Sequence, residues 1–181
     1  MQSVIQRLHD DHASMITLLD ILARELDAVE RAENADFEIM RDVMLYLTRY
    51  SDAVHHPMED LVYARLSDRS PKARKQLAPM PVEHEKIEKQ SRALQDAVIQ
   101  IADGGMALRV SLVQLGQTYV TDLRRHIDLE EEHLFPLAES MLDESDLEEV
   151  AKLLAERRDP IFGDVLDADF RNLYEHIRSG A

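Results

Sequence analysis

The chain contains no cysteine. That excludes disulfides, thiolate metal sites and thiol catalysis. Tryptophan is also absent, and aromatic residues make up only 5% of the sequence. Five glycines and six prolines supply little turn material. This scarcity argues against a sheet protein and for an all-α one. Positive charge is in deficit: 21 Lys and Arg face 36 Asp and Glu, a formal net charge of −15. Nucleic acid and anionic membranes are therefore not expected partners. No stretch approaches the roughly 18–20 apolar residues of a membrane span. The opening "MQSVIQRLHDDH" has no basic and no apolar leader segment, so the expected location is the cytoplasm.

What the sequence does have is helical periodicity. Val4, Ile5, Leu8, His12, Met15, Ile16, Leu19, Leu22, Leu26 and Val29 recur at three- and four-residue steps. The polar stretch "RAENAD" ends that stripe. A second begins near Phe37 and continues through Met40, Met44, Leu47, Tyr50, Val54, Val62 and Leu66 to "SDRSP". Pro57 lies inside it and predicts a bend. "KARKQL" reads as a short helical turn, with a restart near Pro81. Ile87, Leu94, Val98 and Ile101 carry the third stripe to Gly104 and Gly105. The fourth runs from about Met106 to Leu142 through Leu108, Leu112, Tyr119, Ile127 and Leu134. Ser145 and Asp146 offer an N-cap for a further helix, which Pro160 and Gly163 end. A last short helix spans about 167–179. Four long helices with short connections predict an up-down-up-down bundle over 1–142. Residues 143–181 are expected to form a helical extension packed on it, within the same domain.

The histidines provide a test of that topology. In an antiparallel hairpin, residues equidistant from the turn lie side by side. The midpoints of His12 and His55, of His55 and His84, and of His84 and His126 each fall on a turn placed independently. One histidine from each long helix thus reaches the same level. There is also an internal repeat. His55/Glu59 and His126/Glu130 are both H-x-x-x-E, and each follows its hairpin's first histidine by 43 or 42 residues. Spacing of i, i+4 puts both side chains on one helix face. Four imidazoles and two carboxylates would be costly to bury alone. A pair of divalent ions offsets that cost, with the glutamates bridging. Nitrogen and oxygen donors without sulfur allow iron, manganese or zinc.

"LHDDH", "HHPMED", "VEHEK" and "HIDLEEEHLFP", in this order, resemble the hemerythrin-like (HHE cation-binding) family, in its bacterial single-domain branch. The resemblance covers roughly residues 1–142, and "DPIFG" with the last helix looks like an extension of that branch. It implies a non-heme diiron site. His12, His55, Glu59, His84, His126 and Glu130 match the ligand positions. The family's members carry or sense oxygen, handle iron, or respond to nitric oxide and peroxide. One departure stands out. Oxygen carriers look to have a second histidine one turn after the first in helix three, where this chain has Glu88. A fifth histidine must come from elsewhere or be missing.

The other candidates are weighed against plainer roles. His9, one turn from His12, is a candidate additional donor or a partner of the donors. His56/Asp60 is the rival register of the helix-two motif. His133 lies one turn past Glu130, on the same stripe. His176 reads as surface, and Glu131 and Glu132 as a solvated face. Tyr50 and Tyr119 lie within two turns of the donors, with packing as the plainer role. The expected function is binding of dioxygen, nitric oxide or peroxide at an open iron position. A diiron oxidase or peroxidase is the alternative, and a purely structural metal the third reading. A homodimer and an unidentified protein partner are compatible with the chain.

Overall fold

A computed structural model describes residues 3–106, 108–154, 159–161 and 168–179. The described residues are helical, with no strand among them. Helix α1 is Val4–Glu30. It ends on two reciprocal turn bonds, Ala32 N to Val29 O (3.1 Å) and Glu33 N to Ala28 O (2.9 Å). Ala32 therefore takes φ 57°, a left-handed conformation that usually belongs to glycine. Asp36 then caps α2 (Phe37–Tyr46), accepting from the backbone N–H groups of Glu38 and Ile39.

The second long helix does not break at Pro57. It widens. A π-helical segment, Leu47–His55, follows α2 and leads into α3 (His56–Arg69), with Pro57 in the first turn of α3. Proline donates no hydrogen bond and crowds the carbonyl one turn back. The wider π turn ahead of it gives that carbonyl room. The same device recurs in the fourth helix. There α6 (Arg109–Leu129) runs into a second π segment, Glu130–Leu134, and then α7 (Phe135–Met141), with Pro136 in its first turn. Between these lie α4 (Pro71–Leu77) and α5 (Met80–Ala102).

Helix α1 packs on α2 and α6, and α5 packs on the same two. This is the four-helix ring that the periodicity predicts. Gly116 permits the close approach of α6 to α1: a Cβ there would lie 2.5 Å from both Leu26 methyl carbons. The start of the fourth helix differs from the expectation. Met106 and Leu108 are exposed rather than core, Leu108 only caps α6, and the helix begins at Arg109.

Helix α8 (Glu144–Leu154) packs on α3 and α1. Its cap is Asp143, not Ser145 or Asp146. Asp143 Oδ1 accepts from Asp146 N at 3.1 Å, while Asp146 Oδ2 accepts from Asp143 N at 3.2 Å. This reciprocal capping box starts the helix two residues earlier than expected. Of the helix breakers proposed from sequence, Pro160 lies in a turn, and Gly163 lies outside the described residues. A 3-10 turn (Ala168–Phe170) precedes α9 (Arg171–Ser179), which packs on α2 with Leu173 buried.

Two apolar clusters fill the bundle. One joins Leu22, Leu26, Met44, Leu94, Leu112 and Leu123. The other joins Ile5, Leu8, Val62, Leu66, Phe135 and Val150. The polar layer lies between them. Along the long helices His12, His55, His84 and Glu130 fall between residues of one cluster and those of the other, while Glu59 and His126 lie one residue past that boundary, next to Met58 and Ile127.

Candidate metal centre

The structure brings His12, His55, Glu59, His84, His126 and Glu130 together, all buried. Their Nε2 atoms point inward at the two carboxylates. His12 Nε2 lies 3.2 Å from Glu59 Oε1 and 3.4 Å from Glu130 Oε2. His55 Nε2 is 3.0 Å from Glu59 Oε1, and His126 Nε2 is 3.3 Å from Glu130 Oε2. His84 Nε2 stands 3.6 Å from Glu59 Oε2 and 3.7 Å from Glu130 Oε1. Each glutamate therefore faces histidines of both hairpins. Two groups have all their donor atoms within 4.8 Å of one another: Glu59, His84, His126 and Glu130, and His12, His55 and Glu59. Tyr63 adds a buried phenol that donates to Glu130 Oε1 at 2.7 Å.

Each inward histidine is backed by a carboxylate at Nδ1. Asp11 Oδ2 is 3.1 Å from His55 Nδ1, and Asp60 Oδ1 is 3.1 Å from His84 Nδ1. Glu83 Oε2 is 3.5 Å from His126 Nδ1, and Glu131 Oε1 is 2.7 Å from His12 Nδ1. The pattern is cyclic: each long helix supplies the acid behind the next helix's histidine, and the fourth returns to the first. Each acid is the immediate sequence neighbour of a donor: Asp11 of His12, Asp60 of Glu59, Glu83 of His84, Glu131 of Glu130. At His55 and His12 the carboxylate is hydrogen-bonded to Nδ1, which fixes the ring and leaves the Nε2 lone pair free for a cation. The Nδ1 atoms of His84 and His126 make no hydrogen bond, and their carboxylates act through charge. Behind Asp11, Tyr50 donates its phenol hydrogen to both carboxylate oxygens, and Arg7 donates to Tyr50.

The buried carboxylates need positive charge beside them. Burial lowers the His55 pKa, but Glu59 and Asp11 outweigh it and raise it to about 9. Burial also works against His84, which Asp60, Glu130 and Glu59 bring up to about 10. His12 is raised in the same way, against burial, by Glu130, Glu131 and Glu59. Glu59, despite its burial, is held well below the usual carboxylate range by His55 and His12. Two buried carboxylates thus stay ionised and must be matched by protons on imidazole or by metal. The Nε2 atoms of all four histidines make no hydrogen bond, nor do both oxygens of Glu59 and Oε2 of Glu130. Orphaned buried donors and acceptors of this kind fit metal ligation.

A family model, the hemerythrin HHE cation-binding domain, matches residues 3–138. The chain belongs to the hemerythrin HHE cation-binding family. No curated protein and no solved structure matches it. The buried His/Glu groups could hold such a cation. No helix among the described residues is long and apolar enough to cross a membrane.

Several other residues of this hemerythrin-family chain stand differently from their sequence reading. Glu131 is not on a solvated face. It is partly buried and joins His9 Nδ1 (2.6 Å) to His12 Nδ1 (2.7 Å). His9 faces Glu131 rather than the inward donors. Its ring packs edge-on against Phe135, which also stacks on His12. His133 and Glu132 are exposed. His56 is not a bystander: it is buried among His84 and His126. Asp60 serves His84 rather than forming a donor pair with His56. Tyr50 hydrogen-bonds Asp11, while the buried Tyr119 hydroxyl has no hydrogen-bond partner. His176 receives Arg24 at 3.0 Å on the surface. The carboxylates behind the rings escape the sequence reading, although a signal is present: an extra acid beside a donor in every one of the four motifs.

Proposed function

We propose that this chain is a non-heme diiron protein that binds dioxygen or a related small molecule such as nitric oxide or peroxide. His12 and His55 would hold one ion and His84 and His126 the other, with Glu59 and Glu130 within reach of both pairs. The observation that carries this reading is that each glutamate faces histidines of both pairs. A single ion would need no such doubling. An iron pair would supply open coordination positions and exchangeable electrons to a small ligand. The chain's own residues do the rest. Asp11, Asp60, Glu83 and Glu131 aim the rings, and Tyr63 holds one oxygen of Glu130. Phe135, Leu8 and Met58, all buried, help exclude bulk water from the layer. The bundle over 1–142 carries the site, and 143–181 belongs to the same unit.

The test is optical. Reduced, iron-loaded protein is exposed to air and then degassed. A new visible absorption band that disappears on degassing supports ligand binding. Irreversible oxidation with sustained consumption of peroxide and a supplied reductant would make the chain an enzyme instead. No response to air, nitric oxide or peroxide would leave only a structural metal.

A further inference from the structure

The two hairpins repeat, but not perfectly. Adding 71 residues carries His55, Glu59 and Asp60 onto His126, Glu130 and Glu131. The same step carries His56 onto Ile127 and Asp52 onto Leu123. Ile127 and Leu123 are buried core residues. The second copy thus shows that an apolar pair suits these positions in this fold. The first copy buries a histidine and an aspartate there instead, at 3% exposure for His56. Replacing buried ionisable groups with apolar ones of similar volume is often neutral or stabilising. A buried His–Asp pair in one copy alone calls for a function.

His56 shares one feature with the four inward histidines, a carboxylate near Nδ1, although Asp52 comes from one turn back on its own helix and not from a neighbouring one. The His56 Nδ1 lies 3.6 Å from Asp52 Oδ1, as His126 Nδ1 lies 3.5 Å from Glu83. Asp52 is itself held by the Ser91 hydroxyl. The Nε2 of His56 is buried and makes no hydrogen bond. The paired donors His12/His55 and His84/His126 have ring centroids 4.8 and 4.9 Å apart. From His56 the centroid distances to His84 and His126 are 4.6 and 5.6 Å. His56 therefore stands about as close to this pair as its members stand to each other.

We infer that His56 is a third histidine for the ion held by His84 and His126. The inference rests on the metal pair of the proposed function. Its nitrogens are not among the donors that lie within 4.8 Å of one another, so ligation asks the ring to turn toward the pair. Asp52 and Ser91 are positioning residues for that ring. The consequence is an asymmetric centre. One ion has three histidines and the two shared glutamates. The other has His12, His55 and the same glutamates, and so has more positions open to a small molecule.

The experiment compares wild type, His56→Ala and the double variant His56→Ile/Asp52→Leu, which copies the second hairpin's apolar pair and guards against misfolding. Each is loaded anaerobically with ⁵⁷Fe(II), and its iron content, Mössbauer spectrum and melting curve are recorded. Wild type is expected to give two unequal ferrous doublets of equal area. Both variants should keep one doublet and shift or lose the other, and bind their second iron at least about 10-fold more weakly. Free imidazole should restore the lost doublet in His56→Ala. If both variants retain both wild-type doublets and wild-type iron affinity, His56 is not a ligand. If wild type itself loads no iron pair, the proposed function falls first, and this inference with it.

Discussion

His12 Nδ1 lies 2.7 Å from Glu131 Oε1, and the other oxygen of Glu131 lies 2.6 Å from His9 Nδ1. One carboxylate thus ties a buried donor to a half-exposed histidine. Glu131→Gln keeps the size but removes the charge. Loss of an outer carboxylate of this kind weakens metal binding by about 10–100-fold. Competition with a chelator measures it. Wild-type affinity in Glu131→Gln would show that His12 does not depend on Glu131.

Tyr63 donates to Glu130 Oε1 at 2.7 Å in a buried setting. Tyr63→Phe keeps the ring and removes the donor. A buried carboxylate oxygen losing its hydrogen bond costs about 1–3 kcal/mol. Denaturant unfolding at matched metal content should show that loss. An unchanged midpoint would mean that the phenol contributes packing alone.

The bundle and the inward donors are legible in the spacing, because helix period and antiparallel pairing are local rules that act on residue number. The two π segments are not. Glu131 lies in one of them and meets His9 and His12 on a neighbouring helix, although the periodicity alone puts it toward solvent. His56 is hidden for a related reason. It lies one residue past an inward donor, on the seam with the neighbouring helices, where its ring meets His84 and His126 as the buried Ile127 fills the corresponding position in the second copy. The outer acids are hidden because each bonds across to a neighbouring helix, and a sequence does not show which neighbour a side chain meets.

The pH dependence of the metal-free protein comes from the histidines. Their folded pKa values, about 9 for His55 and about 10 for His84, lie above an unfolded value of about 6.5. The stabilisation is therefore complete below about 6.5 and is lost as pH rises through about 9–10. Asp52, pushed up to about 7 by burial, acts in the same direction over a lower range. Metal displaces these protons, so metal affinity should rise over the same interval. Melting curves with chelator, from about pH 6.5 to 10, should fall steadily. Constant or rising stability would contradict the charge arrangement.

Ala32 takes φ 57° at the end of α1, while Gly104 takes φ 84° in the same two-bond turn after α5. An alanine in that conformation carries strain of about 1–2 kcal/mol, partly offset by glycine's greater freedom when unfolded. Ala32→Gly should therefore stabilise by about 0.5 kcal/mol, read as a higher denaturant midpoint. A lower midpoint would show that the turn tolerates alanine without strain.

The central claim is that a histidine–glutamate layer holds a pair of iron ions. The most direct measurement is the metal content of protein purified anaerobically and reconstituted with iron. Two irons per chain, with both lost in Glu59→Ala/Glu130→Ala, is the predicted result. Less than about one metal per chain, or zinc alone under iron-replete conditions, would contradict it.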